Sequence, residues 1–265
     1  MPDDAAEVLL EGGTANRGLV VRVGNTVRRP QRATSAATHA LLQHLADVGF
    51  DGAPRFLGVD AKGREVLSFI AGEAATAPYP RWALTDTALR SVALLLRRYH
   101  QAVASFDHTP YHWPQSPPPP YAGSLVTHND PNLDNVVFRD GRAVAFIDFD
   151  LASPGSIAWD LAAAARLWAP LRSDVDISDG RRGQSLRRFR LLVETYGDKS
   201  LDPGRVVDAV LRNHDWLYSI IQSEVKLGNP GFVDYWRQSI ARVGRTYRWY
   251  AANHQTLLDA LTPQE

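Results

Sequence analysis

The stretch from Ser124 to Asp150, SLVTHNDPNLDNVVFRDGRAVAFIDFD, constrains this chain more than any other. Two short apolar runs, Val136 to Phe138 and Ala143 to Ile147, flank Arg139-Asp140-Gly141-Arg142, whose Asp-Gly pair accepts the positive φ angles of a tight turn. The spacing predicts a β-hairpin. His128-Asn129-Asp130 lies just before its first strand, Asn135 at the start of that strand and Asp148 just after the second, so two carboxylates and an amide gather at one end. With no thiol or histidine cluster around them, such hard oxygen donors suit Mg²⁺ better than a transition metal. Mg²⁺ held by one or two protein oxygens usually shares its other positions with phosphate, and phosphoryl transfer asks for little beyond positioning and charge neutralisation.

His128-Asn129-Asp130, then Asn135, then the hairpin and Ile147-Asp148-Phe149, resembles the catalytic core of the aminoglycoside phosphotransferase and choline kinase branch of the protein-kinase-like fold. In protein kinases the corresponding pattern is His-Arg-Asp, four intervening residues, Asn, and then Asp-Phe-Gly. Carried over residue by residue, the resemblance implies that Asp130 is the base that orients and deprotonates a substrate hydroxyl. It makes Asn135 and Asp148 the Mg²⁺ ligands beside bound ATP, and gives His128 the role of shaping the loop. Asp150, standing where the kinases have glycine, would face metal or substrate. Asp160, at the start of an alanine-rich helix, can accept backbone N–H bonds there, and in the resembled family it braces the catalytic loop.

Upstream, Val8 to Pro30 reads as short strands around Gly12-Gly13, with a second turn at Gly24-Asn25. Glycines between strands let backbone N–H groups approach phosphate, though a plain turn explains Gly12 and Gly13 as well. The resemblance favours a nucleotide cover, and puts a basic strand residue beneath it where relatives carry lysine. Here that strand has Arg28 and Arg29. Only one of them can point into a cleft. Matching Val27-Arg28 to the family's apolar-then-basic pair assigns Arg28 to the α/β-phosphates and leaves Arg29 for solvent.

The helix expected over Ser35 to Val48 has no acid from Thr34 to Leu45, where relatives place a glutamate to pair with the basic residue. His39 and His44 read as helix-surface or lobe-interface residues. Strands follow at Ala53 to Asp60 and Glu65 to Ile70. The second resembles the hinge, where backbone groups near Ser68 to Ile70 would bond adenine. Ala74 to Pro80 fits a lobe linker. An amphipathic helix from Thr85 to Phe106 carries His100 under the catalytic loop, and Pro117 to Pro120 makes a stiff connector. Helical periods then recur over Trp159 to Trp168, Leu186 to Tyr196, Val206 to Glu224 and Phe232 to Leu261. Relatives build the acceptor pocket from this C-terminal region, so Asp215 and Glu224 are candidates for an amine-bearing substrate.

A chain of 265 residues, 45% hydrophobic, can bury the core of one large domain or two lobes. Its formal charge of zero gives no global attraction to nucleic acid or an anionic membrane. It has no cysteine, no basic leader and no long apolar run, which points to a cytoplasmic protein. The expectation is an α+β, two-lobe protein-kinase-like fold: a small antiparallel-β lobe over residues 1–70 and a larger, mainly helical lobe over 71–265. The implied activity is ATP- and Mg²⁺-dependent transfer of a phosphoryl group to a small-molecule hydroxyl acceptor. Aminoglycosides, other hydroxylated antibiotics, choline-like amines and sugars all fit that description. The missing helix acid and the absent lysine motivate a different reading, a degenerate kinase-like binding or immunity protein. A protein kinase is disfavoured because no Ala-Pro-Glu signature follows Asp148.

Overall fold

The computed structural model describes residues 6–10 and 18–262. Gly12 and Gly13 lie outside them. The N-terminal sheet has the order β1-β2-β3-β5-β4, all antiparallel, from Val8–Leu9, Val21–Val23, Thr26–Pro30, Phe56–Val59 (β4) and Arg64–Ser68 (β5). Helix α1, Ser35–Asp47, covers one side of it through Ala37, Leu41, Leu42 and Leu45, which recur at helical spacing and are buried. The register of the β3–β5 pair matters most. It sets Val27 opposite Leu67 and Arg29 opposite Glu65. Directly opposed residues share a sheet face, and alternation sends Arg28 to the other face.

Beyond β5 the chain becomes mainly helical. A two-residue strand, β6 (Glu73–Ala74), reaches the first residue of the segment expected to be a linker and pairs with β8 (Val136–Arg139), which itself pairs with β9 (Arg142–Phe146). In the turn of that hairpin Asp140 and Gly141 have φ of 50° and 70°, the two consecutive positive values of a type I′ turn. Another short pairing joins β7 (Leu125–Thr127) to β10 (Ser153–Gly155), so Pro154-Gly155 is strand.

Helix α2, Asp86–Val103, starts at Thr85, whose side chain accepts the Ala88 N–H, and it buries Leu89, Val92, Leu96, Tyr99 and Val103. Each such fully buried side chain contributes about 1.5–3 kcal/mol of transfer free energy. Helix α3, Ile157–Trp168, has almost no exposed face: alanines let α4 (Ser185–Tyr196) and α5 (Pro203–Lys226) pack closely on it, with Trp159 and Trp168 filling the ends. Helix α6, Pro230–Leu261, lies along α5. None of the helices described is long and apolar enough to cross a membrane.

Gly72, between β5 and β6, has φ of 148°, and a Cβ there would lie 2.5 Å from the Phe138 carbonyl oxygen and from Val137 Cγ1. Both the backbone conformation and the strand beneath it demand glycine. Gly72→Ala is expected to cost about 2–3 kcal/mol in urea unfolding; a loss below half a kcal/mol would contradict this close approach.

Candidate active site

The hairpin end is held from below. Asp160, fully buried at the start of α3, accepts the backbone N–H groups of His128 and Asn129 at 2.8 Å each and faces His100 Nε2 at 3.0 Å. Burial alone would raise its pKa, but the hydrogen bond and charge of His100, with the His128 amide, hold it below the usual carboxylate range. His128 is itself buried, with Nε2 3.1 Å from the Ile147 carbonyl and Nδ1 accepting the Asp130 N–H. Asn129 adopts a left-handed backbone, φ 67°, and its amide donates to Leu151 O and Ser153 Oγ. Trp168 Nε1 donates to the Pro131 carbonyl at 2.7 Å. The loop is therefore tied to α2, α3, the hairpin and β10.

On this base Asn135 Nδ2 donates to both the backbone carbonyl and Oδ2 of Asp130, each at 3.0 Å. That leaves the Asn135 amide oxygen available as an acceptor. Asp148 follows β9 with φ of 61°, a strained conformation for an aspartate, and lines the same cleft as Asn135 and Asp134. The acids repel one another. Burial first, and the Asp148 charge second, push Asp130 up to about 7. Asp134 is likewise raised, by burial and then Asp148, and its Oδ1 is buried with no hydrogen-bond partner. Such surplus negative charge fits a site completed by a cation, with Asn135 and Asp148 supplying hard oxygens. Among the described residues no three His, Cys, Asp or Glu side chains form an all-protein metal cage.

The cleft over these residues has a volume of about 290 Å³. Its apolar wall comes from Val20, Val27, Leu67, Ile70 and Val137, and its ionisable lining from Arg29, Asp134 and Asp148. Of the expected hinge, the Ser68 and Phe69 amides donate to the Arg55 and Asn25 carbonyls. The Ile70 amide has no such partner among the described residues. A larger cavity of about 800 Å³, between the ends of α4 and α6, holds none of the hairpin residues.

The arginine assignment is corrected. Arg28 lies on the outer face, 3.5 Å from Asp60, while Arg29 is the residue that enters the cleft. Its guanidinium bonds Glu65 through Nε, Asp148 at 2.8 Å and Asp150 at 2.7 Å. Burial works against that charge, but Asp150, Asp148 and Glu65 outweigh it and raise the pKa further. Apolar Val27 marks the cleft face, and alternation from it selects Arg29, two residues on.

The missing helix acid is explained in the same place. Glu65, on β5 opposite Arg29, provides the carboxylate, and His39 of α1 bonds its second oxygen at 2.6 Å while stacking on Phe56. Asp150 has an oxygen 2.7 Å from Arg29 and the other 2.8 Å from Arg32, so its charge is already partnered rather than turned to metal or substrate.

Neither Asp215 nor Glu224 lines the cleft, the cavity of about 800 Å³ or a further, smaller cavity. Asp215 bonds the Tyr247 hydroxyl, and Glu224 accepts from Asn229 just past the end of α5. On the same helix, His214 and Tyr218 instead face this smaller cavity against Asn132 and Leu133, which follow Asp130 in the loop.

Comparison with known proteins gives the same picture of the fold. The profile described as the phosphotransferase enzyme family matches residues 105–192. A trifolitoxin immunity protein of Rhizobium leguminosarum bv. trifolii is 32% identical over 276 residues, covering 96% of this chain and 98% of its own. A choline/ethanolamine kinase family protein from Mesorhizobium loti superposes with a TM-score of 0.66 at 17% identity, over 98% of this chain and 93% of that one. Aminoglycoside 2′-phosphotransferase-IIIa, solved as its GDP complex, superposes with a TM-score of 0.59 at 13% identity, over 95% and 93%. At these identities the two structures speak to the fold, which is protein-kinase-like: an antiparallel sheet followed by a mainly helical part.

Because folding raises the Asp130 pKa, the protonated acid is favoured in the native state, and stability is lost as pH climbs from the unfolded value near 4 through about 7. In nucleotide-free protein without divalent cations, Asp130→Asn is expected to be more stable than wild type at pH 8 by about 1–2 kcal/mol, screening at a half-buried site included. The gain should vanish below pH 4. A variant less stable than wild type at pH 8 would contradict the electrostatics described.

Proposed function

The chain belongs to the phosphotransferase enzyme family, and on that premise we propose that it transfers the γ-phosphoryl group of ATP to a hydroxyl of a small molecule. What carries this reading is a cleft lined by Asn135, Asp148 and Arg29, with Asp130 bonded to Asn135 at 3.0 Å and Arg29 ion-paired with Glu65. An Mg²⁺ ion bound there would neutralise phosphate charge. Asn135 and Asp148 are the residues to hold it, and Arg29 offers its guanidinium to the phosphates. Asp130 orients the acceptor hydroxyl by accepting its hydrogen bond. As the new P–O bond forms and the bond to ADP breaks, the hydroxyl proton passes to the Asp130 carboxylate and ADP keeps the bonding electrons. The buried supports on Asp160, His128 and Asn129 keep these groups in place, which is most of what phosphoryl transfer asks of a protein.

The immunity protein that shares 32% identity supports a second reading, in which the fold binds and neutralises a toxic compound without turnover. Retention of the acids, together with a rebuilt counter-ion for the cleft arginine, favours catalysis. The two readings separate by experiment. Asp148→Ala should abolish Mg²⁺-dependent ATP binding, measured by calorimetry. Asp130→Asn should keep that binding and lower phosphoryl transfer by about 10²–10⁴-fold. Absence of nucleotide binding in the wild type would leave only the second reading.

A further inference from the structure

Behind the catalytic loop, on the side away from the sheet, lies a cavity of about 60 Å³, the size of one small polar group rather than a whole sugar or nucleotide. Arg166 of α3, Arg172 and Arg181 from the segment after it, and Arg242 of α6 all line it. Arg181 is neutralised by Asp179 at 2.7 Å and lies over the Tyr79 ring. The other three have no carboxylate within 4.0 Å among the described residues. Arg166 donates to Asn213 Oδ1 and Arg242 to Ser239 and Tyr235, all neutral groups. Arg166 Nη2 and Arg172 Nε are buried without any partner.

A second observation points the same way. His214 is 3% exposed, lines this cavity, and leaves Nε2 unpartnered. Burial, then the charges of Arg166 and Arg242, push its pKa down to about 3, so the imidazole is neutral and adds no further positive charge. Like charges gathered in a half-buried space with no carboxylate in contact are unfavourable, since Asp176 and Asp130 act on Arg172, Arg242 and Arg166 only at longer range, and proteins tolerate such charge chiefly where a ligand completes it. The carboxylates expected for an amine-bearing substrate, Asp215 and Glu224, are not here. What stands beside the catalytic loop is cationic.

We propose that the acceptor carries an anionic group, a carboxylate or a phosphate ester, that docks among Arg166, Arg172 and Arg242 beside His214 and so holds the acceptor hydroxyl toward Asp130. This deepens the function proposed above and rests on it for the identity of the reaction, but not for the binding of the anion. Asn132 and Leu133 form both the cavity wall and the continuation of the loop from Asp130, and the Arg166 charge is felt at Asp130. Guanidinium groups match carboxylate and phosphate oxygens with paired N–H donors, which an ammonium would not. The same charges exclude polycationic aminoglycosides and quaternary amines such as choline.

Inorganic phosphate is the direct probe. Titrated into nucleotide-free protein at constant ionic strength, it should raise the melting temperature saturably. Arg172→Met should melt higher than wild type without phosphate, because it removes an uncompensated charge, and should weaken the phosphate response at least tenfold while retaining Mg²⁺·ATP binding as evidence of folding. No response beyond that of matched sodium chloride, or an undiminished response in Arg172→Met, would overturn the proposal. In parallel, labelled-phosphate incorporation from ATP is compared among glycerate, glycerol 3-phosphate, glycerol and choline. The anionic pair should exceed the others at least tenfold, with the better of the two distinguishing carboxylate from phosphate ester; a preference for choline or glycerol overturns the proposal. If no compound is phosphorylated, the Arg172-dependent phosphate response still decides the cavity's charge preference, and the loss falls on the proposed reaction instead.

Discussion

The ion cluster centred on Arg29 is the interaction on which the site depends. One guanidinium on β3 joins Glu65 of the neighbouring strand to Asp148 and Asp150 beyond the hairpin, and so ties the sheet to the base of the cleft. Removing either side of such a buried cluster would strand a charge, at a cost of about 3–5 kcal/mol. The cluster also substitutes for a familiar arrangement. Where the family resemblance implies a strand lysine paired with a helix glutamate, this chain takes the acid from the adjacent strand and lets the helix contribute His39 as a second-hand support. Because the two ionic partners are registered across one ladder, their alignment follows from strand pairing and needs no particular placement of α1.

Below that cluster, rigidity comes from satisfied backbone rather than from more charge. A carboxylate at the head of α3 answers two loop amides and a histidine, and an indole at the far end of the same helix answers a loop carbonyl. The near-total burial of α3, made possible by its alanines, fixes both groups relative to the loop. The strained backbone at Asp148 is maintained by the hairpin and the arginine together. Stability and site geometry thus rest on the same few contacts, while the repulsion of Asp130 and Asp134 by Asp148 is only partly offset by the protein's own cations.

How much of this is legible in sequence depends on distance along the chain. The hairpin is visible because a turn signal between two apolar runs is local, and the acids flanking it come with it. The main helices are visible from their period. The cross-sheet pairing of Arg29 with Glu65 is not, since it depends on a register linking residues 36 apart; alternation from Val27 would nevertheless have chosen the right arginine. Asp215 and Glu224 fail through helix phase: His214 and Tyr218 are the residues of α5 that line the cavity beside Asn132 and Leu133. The two-residue β6 and three-residue β7 and β10 are too short to show a period. The cationic cavity draws on α3, α6 and the segment between α3 and α4, and the neutral net charge of the chain hides it entirely.

The most direct test is a crystal structure of the complex with Mg²⁺ and a non-hydrolysable ATP analogue. The account predicts phosphate oxygens against the Arg29 guanidinium and the ion between the Asn135 amide oxygen and Asp148, with Glu65 still on the far side of Arg29. A nucleotide bound elsewhere, phosphates contacting Arg28 instead, or an ion held away from Asn135 and Asp148 would contradict it.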